Sequence, residues 1–384
     1  MKKKNMKFGT KAIHAGVDPD PTTGAIMTPI YQTSTYVQEK VGQHKGYEYS
    51  RTLNPTRHAL EKALAELENA TYGACFGSGV AAIDCLMKML NPGDEVISTN
   101  DLYGGSYRIF TGIFQKFGIK FHFVNMNDLN SVESKINENT KLIWAETPTN
   151  PMMNIVDIEA LSKITKQHKV MFGVDNTFAT PYLQNPMDLG ADIVMHSVTK
   201  YLGGHSDVVM GALVTSDKGI ADEIYRIQNS SGGITGPMDS FLVLRGLKTL
   251  HLRMQRHCEN GKKVAYFLKD HPRVEKVFWP GFKDHPNHEI AKKQMRGFGG
   301  MISFSLKGNQ MSEAHAIMEK FNVFSLAESL GGVESLTCHP ATMTHASIPA
   351  KDREAAGIVD SLIRLSVGVE DEEDLINDLK QALA

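Results

Sequence analysis

The run Asp192-Ile193-Val194-Met195-His196-Ser197-Val198-Thr199-Lys200-Tyr201-Leu202-Gly203-Gly204-His205 passes from apolar residues into hydroxyls, a lysine and a pair of glycines. It reads as a buried strand that opens into a turn. A lysine at the carboxyl end of a strand stands in the crevice where open α/β sheets bind ligands. Partial desolvation there lowers the pKa of an ammonium, and a neutral amine forms a Schiff base with an aldehyde. Ser197 and Thr199 add hydroxyls of the kind a phosphate needs. An exposed lysine before a glycine turn would give the same letters, so the surrounding segments carry the decision.

Outward from this strand the rhythm repeats. Apolar runs at Ala74-Cys75-Phe76, Glu95-Val96-Ile97-Ser98, Phe121-His122-Phe123-Val124 and Leu142-Ile143-Trp144-Ala145 predict strands. So do Val170-Met171-Phe172-Gly173-Val174, Ile193-Val194-Met195 and Gly211-Ala212-Leu213-Val214. Helical segments separate most of them, which predicts an α/β fold with a mainly parallel sheet. Leu60, Leu64 and Leu67 predict an amphipathic helix over about 56–68. Before it, residues 1–55 show little periodicity, and Asp18-Pro19-Asp20-Pro21-Thr22-Thr23-Gly24 predicts an extended arm. The large domain is expected over 56–249. After residue 250 the pattern changes to a long helix at 250–268 and strands at 274–278, 300–304 and 362–366. A polar-faced helix at about 371–383 ends the chain. A smaller α+β domain is expected over 250–384.

The 384 residues carry 41 Lys plus Arg against 43 Asp plus Glu, a formal net charge of -2. That balance gives no reason to expect nucleic acid as a partner. The basic Met1-Lys2-Lys3-Lys4 is followed by no apolar run, and no stretch is long and apolar enough to span a bilayer, so a cytoplasmic protein is expected. Cys75, Cys85, Cys258 and Cys338 lie far apart without a CxxC pair. Free buried thiols are expected, with no metal site. His196, His205, His339 and His345 are read as satisfied polar histidines.

Three further segments open onto the same sheet edge. In Val174-Asp175-Asn176-Thr177, Asp175 ends an apolar run. Its carboxylate could hold a pyridine nitrogen protonated, or it could cap a turn. In Phe76-Gly77-Ser78-Gly79-Val80, a strand passes through small residues into a helix, where backbone N–H groups can meet an anion. The turn is no GxGxxG, and a nucleophile elbow at Ser78 would need glycines where Phe76 and Val80 stand. In Asp101-Leu102-Tyr103-Gly104-Gly105, Tyr103 could stack on a flat cofactor or be a core tyrosine. Together the segments offer an amine, an acid, an anion nest and a stacking ring.

With these segments in place, the chain resembles the cystathionine (trans-sulfuration) family of pyridoxal-phosphate enzymes. The likeness runs through Tyr47–Thr56, Glu146-Thr147-Pro148-Thr149-Asn150-Pro151, Ser197–Gly204, Ala327–Ser335 and Arg364–Gly368. It implies a PLP-dependent transferase-like fold, the fold type I of aspartate aminotransferase. It implies that Lys200 binds pyridoxal 5'-phosphate covalently, that Asp175 and Thr177 serve the pyridine side, and that Tyr103 stacks and assists proton transfer. Ser78, Gly79, Val80, Ser197 and Thr199 would surround the phosphate. Tyr49 and Arg51 would reach the phosphate of a neighbouring subunit in a homotetramer built as a dimer of dimers. Arg364, with Asn150 and Ser329, would hold the substrate α-carboxylate, and Glu328 would meet the distal amino group of cystathionine.

Within the family, methionine γ-lyases tend to carry cysteine where Gly105 stands. β-Lyases tend to carry an aromatic residue at Glu328 and Trp at Leu330. That leaves cystathionine γ-lyase and cystathionine γ-synthase; Pro29–Tyr36 and Tyr47–Arg51 look more like bacterial γ-lyases, so the resemblance favours cystathionine γ-lyase, with cystathionine γ-synthase as the alternative. A non-catalytic pyridoxal-phosphate-binding regulator is the reading from a different class.

Overall fold

The structure, a computed structural model, describes residues 6–346 and 348–384. The basic opening Met1–Lys4 lies outside the described residues. The larger sheet contains β1 (Tyr72–Phe76), β2 (Glu95–Thr99), β3 (Lys120–Val124), β4 (Thr140–Glu146), β5 (Met171–Asp175), β6 (Ile193–Ser197) and β7 (Gly211–Thr215). Their spatial order is β1-β7-β6-β5-β4-β2-β3. Every ladder from β3 across to β6 is parallel, and β7 runs antiparallel to both β6 and β1. The expected mainly parallel sheet is present with one reversed strand.

Both faces of this sheet are covered, as a parallel sheet requires. Successive residues alternate between two cores. Ile97, Ile143, Ala145, Phe172, Val174 and Val194 face one core. Val96, Leu142, Trp144, Ile193, Met195 and Leu213 face the other. Each of the larger side chains, the Val, Ile, Leu, Phe and Met residues, contributes about 1.5–3 kcal/mol by leaving water. Gly173 makes room for Trp144, since a Cβ there would stand 2.9 Å from Trp144 Cε3.

The helix at Pro55–Leu67 begins as its sequence dictates. Asn54 Oδ1 accepts the N–H groups of Thr56 and Arg57 at 3.0 and 3.3 Å, and Pro55 occupies the first helical position. Buried Arg57 donates to the carbonyls of Ser50, Arg51 and Thr52, so it pins the end of the N-terminal arm. The middle of the arm is open: Ile26, Val37 and Val41 are 82%, 93% and 103% exposed. A short helix at Phe8–His14 was not expected. With seven residues and only Ala12 buried, it gives the sequence no clear apolar stripe.

The smaller sheet contains β8 (Val274–Phe278), β9 (Met301–Leu306), β10 (Ser325–Leu326), β11 (Leu336–Cys338) and β12 (Ile363–Ser366), in the order β10-β11-β12-β9-β8. The expected strands are here. β10 and β11 were not foreseen, because two and three residues are too short to show a period. The long helix Leu250–Lys269 packs against β8, β9, the last helix (Glu372–Ala382) and the Phe8–His14 helix, tying both halves together. Of the cysteines, Cys75, Cys85 and Cys338 are buried, whereas Cys258 is only half-buried, a departure from the expected buried set. Among the described residues no helix is long and apolar enough to cross a membrane, and no His/Cys/Asp/Glu group could hold a metal ion.

Candidate active site

A cleft with a cavity volume of about 210 Å³ opens at the carboxyl ends of β4, β5 and β6. The loop from β6 to β7 carries Lys200 into it. Thr199 fastens that loop at its root: its N–H and hydroxyl both donate to the Met210 carbonyl, and its Oγ1 accepts the Met210 N–H at 3.0 Å. Gly203 and Gly204 then turn the chain. Gly204 has φ +72°, and a Cβ there would lie 2.0 Å from Arg253 Nη1. Buried Arg253 donates to the carbonyls of Tyr201 and Gly246 at 2.6 and 2.9 Å, which fixes the turn.

The 328–332 loop packs onto the lysine loop from the smaller domain. Gly331, at φ +77°, passes so close that a Cβ would stand 2.7 Å from Tyr201 N. That approach brings Ser329 to the amine, and Lys200 Nζ donates to Ser329 Oγ at 2.8 Å. Burial, with Arg364 adding to it, lowers the Lys200 pKa from 10.5 to about 8. The amine is therefore far closer to its nucleophilic neutral form at neutral pH than an exposed lysine.

Asp175 lies buried at the end of β5. Thr177 donates to its Oδ1 twice, from N–H at 3.0 Å and from Oγ1 at 2.5 Å. Thr177 Oγ1 also accepts the Ser197 N–H at 2.8 Å, which links the ends of β5 and β6. Glu146 is in register with Asp175 on the neighbouring strand. Burial pushes both carboxyls up, and the Asp175 charge raises Glu146 further.

Across the cleft, Ser78 caps the helix Gly79–Met87, its Oγ accepting the Ala81 N–H at 3.0 Å. A capping serine is consistent with the expectation that Ser78 is no nucleophile. A Cβ on Gly79 would lie 3.0 Å from the Ser197 Cβ, so the glycine lets the helix start approach the end of β6 closely, and a helix N-terminus at the cleft can meet an anion with its backbone N–H groups. Tyr103 immediately precedes the helix Gly104–Gly112, and its ring lies over Gly105: a Cβ at 105 would stand 2.2 Å from Tyr103 Cε1.

Arg364 comes from β12 and is 2% exposed. Its Nη1 donates to Asn150 Oδ1 at 2.8 Å and its Nη2 to the Ser329 carbonyl at 3.0 Å. Its Nε is buried without a partner, and it joins no ion pair among the described residues. A buried guanidinium with a spare donor suits a ligand carboxylate. Glu328, exposed at the rim, completes the lining.

Thus Ser78, Gly79, Val80, Tyr103, Asn150, Asp175, Thr177, Ser197, Thr199, Lys200, Glu328, Ser329 and Arg364 line one cleft. Tyr49 and Arg51 do not. Both are exposed on the arm, the Arg51 guanidinium 5.4 Å from the Tyr49 ring centroid, with Arg51 Nε donating to Asn229 Oδ1. Sequence reading gave no role to Glu146 or Thr344, which also line the cleft. Glu146 ends a strand as Asp175 does, and that signal was there to be found. Thr344 lies in a turn after Cys338 and had none. Among the singled-out histidines, His345 bonds to Asn150 O and Thr344 Oγ1, and His339 to Thr342 and Asp360. His196 pairs with Glu68 at 2.6 Å, yet its Nδ1 is buried without a partner, against the expectation of full satisfaction.

An amine of lowered pKa, a buried acid opposite, an open helix N-terminus and a ring at one sheet edge fit pyridoxal phosphate. Fold and site together define a pyridoxal-phosphate-dependent enzyme. The sequence profile of the Cys/Met metabolism PLP-dependent enzymes matches residues 9–384, and the chain belongs to that family. It is 51% identical over 382 residues to a protein named cystathionine beta-lyase from Coxiella burnetii, covering 99% of this chain and 98% of that one. It is 51% identical over 376 residues to a cystathionine gamma-synthase from Mycobacterium bovis, covering 97% and 96%. The crystal structure of cystathionine gamma-lyase from Lactobacillus plantarum, complexed with L-serine, matches with a TM-score of 0.96 at 48% identity, covering 98% of each chain. The fold is thus the PLP-dependent transferase-like fold that the resemblance implied. Three activities stand at nearly equal identity, so the relatives' names choose none of them.

Proposed function

We propose that the chain catalyses γ-elimination on cystathionine, giving cysteine, 2-oxobutanoate and ammonia. The observation that carries this reading is that Lys200, Arg364 and Glu328 line the same cleft. Cystathionine has a reacting end with an α-carboxylate and a distal end with an ammonium, and these three groups answer the two ends and the proton between them.

When bound, pyridoxal phosphate supplies an aldehyde for amines and a ring that accepts the electron pair of a deprotonated Cα. Lys200 would hold it. Ser78, Gly79, Val80, Ser197 and Thr199 would bind its phosphate. Asp175, oriented by Thr177, would serve its ring nitrogen, and Tyr103 would serve its ring. Arg364 then clamps the substrate carboxylate, with Asn150 and Ser329 fixing the guanidinium plane. Glu328 meets the distal ammonium. The freed Lys200 amine takes the Cα proton and next moves a β-proton, while Tyr103 assists proton transfer to sulfur. The Cγ–S bond breaks and cysteine leaves with a proton on sulfur. One water is consumed as the remaining four carbons leave as 2-oxobutanoate and ammonia.

Tyr49 and Arg51 serve the phosphate of a neighbouring subunit, within a homotetramer built as a dimer of dimers. Residues 1–55 form the arm that reaches across, residues 56–249 the cofactor domain and residues 250–384 the smaller domain. The exposed middle of the arm, with Ile26, Val37 and Val41 uncovered, supports this assignment. Four free thiols suit the reducing cytoplasm.

A second reading, γ-replacement of activated homoserine by cysteine, uses the same residues, and a protein named cystathionine gamma-synthase is among the relatives at 51% identity. The deciding experiment supplies cystathionine, homocysteine, cysteine and O-succinylhomoserine side by side. Release of 2-oxobutanoate from cystathionine as the fastest reaction supports γ-elimination. Faster formation of cystathionine from O-succinylhomoserine and cysteine establishes the synthase, and pyruvate with homocysteine establishes β-elimination.

A further inference from the structure

Glu146 ends β4 at the wall of the cleft, and the proposed reaction gives it no task. It is 4% exposed. A carboxyl is costly to bury, so a packing role would be served better by an apolar residue. Its two oxygens instead receive two main-chain donors from different loops. Oε2 accepts the Tyr103 N–H at 2.9 Å, in the loop after β2. Oε1 accepts the Asn150 N–H at 3.0 Å, in the loop after β4. Asn150 Oδ1 in turn accepts Arg364 Nη1 at 2.8 Å. The Glu146 N–H donates to Thr99 Oγ1 at 3.3 Å, holding the ends of β2 and β4 together.

We propose that Glu146 is a positioning residue that ties the cofactor-facing Tyr103 to the Asn150–Arg364 carboxylate clamp. One carboxyl spans the wall that meets the ring and the wall that meets the substrate. This rests on the reading of the cleft as a pyridoxal-phosphate site with an α-carboxylate clamp, and it holds for any of the eliminations above.

The test uses the holoenzyme and its Glu146→Ala and Glu146→Gln variants. Gln keeps one carbonyl acceptor and turns an amide donor toward the other N–H, so it breaks one of the two links. Cofactor content is measured first. The visible absorbance of the bound cofactor is then titrated with L-alanine, which carries an α-carboxylate, and with methylamine, which does not. Both variants are expected to retain cofactor and to bind methylamine as before. The Ala variant is expected to bind L-alanine roughly 10-fold or more weakly through the lost orientation of the clamp, and the circular dichroism of its cofactor band is expected to change as Tyr103 shifts. Unchanged L-alanine affinity in the Ala variant overturns the proposal. Equal weakening of both ligands also overturns it, because that is general loosening. Should the Ala variant not fold, the Gln variant decides: a change in L-alanine affinity or in the cofactor band, with methylamine bound as before, supports the tie, and no change in either overturns it. A wrong choice of elimination would show in the products of the unaltered enzyme and leave these titrations untouched.

Discussion

Lys200 Nζ donates to Ser329 Oγ at 2.8 Å across the seam between the two sheets' loops. Ser329 sits at φ +94°, a conformation that L residues rarely adopt, while its carbonyl accepts Arg364. One residue therefore contacts both the amine and the guanidinium proposed as the clamp. Ser329→Ala keeps the backbone but releases the amine. Its kcat is expected to fall by roughly 10-fold, the worth of one hydrogen bond to a charged group. Steady-state kinetics on cystathionine check this, and an unchanged kcat would show that the contact is incidental.

Arg364→Lys retains the charge and loses the planar fork. The lost charge-assisted hydrogen bonds are worth about 1.5–3 kcal/mol. In kcat/KM that is roughly a 10- to 100-fold loss, expected to appear mainly as a raised KM. Substrate saturation curves for the variant and the parent measure it.

Gly105 gives the Tyr103 ring its place, since a Cβ there would approach Cε1 to 2.2 Å. Gly105→Ala is expected to displace the ring and to cost roughly 10- to 100-fold in kcat/KM, as small misplacements at reacting centres do. Unchanged kinetics would mean that the ring's position does not matter.

The lowered amine pKa gives a pH dependence of definite sign. Only the neutral amine attacks an aldehyde, and the neutral fraction grows as pH rises. Capture of pyridoxal phosphate by cofactor-stripped protein should therefore accelerate with pH and level off above about 8 instead of near 10.5. Arg364 lowers that pKa and Glu328 raises it. Arg364→Ala should move the midpoint up, and Glu328→Gln should move it down. Stopped-flow absorbance over a pH series reads all three.

The proposed sharing of sites between subunits predicts complementation. Lys200→Ala and Arg51→Ala chains, each with little activity alone, should regain measurable activity when co-assembled, because mixed pairs contain some intact sites. Activity of the mixture no greater than the sum of its parts would place Arg51 outside any neighbour's site.

Much of the site is legible in the residues alone. Strands β4, β5 and β6 are apolar runs that end in Glu146, Asp175 and Ser197, and a parallel sheet must bring those ends together. That argument finds Lys200 and Asp175. It cannot find the contact between Lys200 and Ser329, residues 129 positions apart, which depends on how Gly331 nests against Tyr201. Arg364 is visible only through family likeness, because a lone arginine in an apolar strand has several readings. β10 and β11 escape because pairing, not periodicity, defines strands of two and three residues.

The most direct measurement reduces the purified enzyme with borohydride and maps the modified peptide by mass spectrometry. The account predicts one pyridoxyl group per chain, on Lys200, with loss of the yellow colour and of activity together. A group attached to another lysine, or full activity in a Lys200→Ala enzyme, would contradict it.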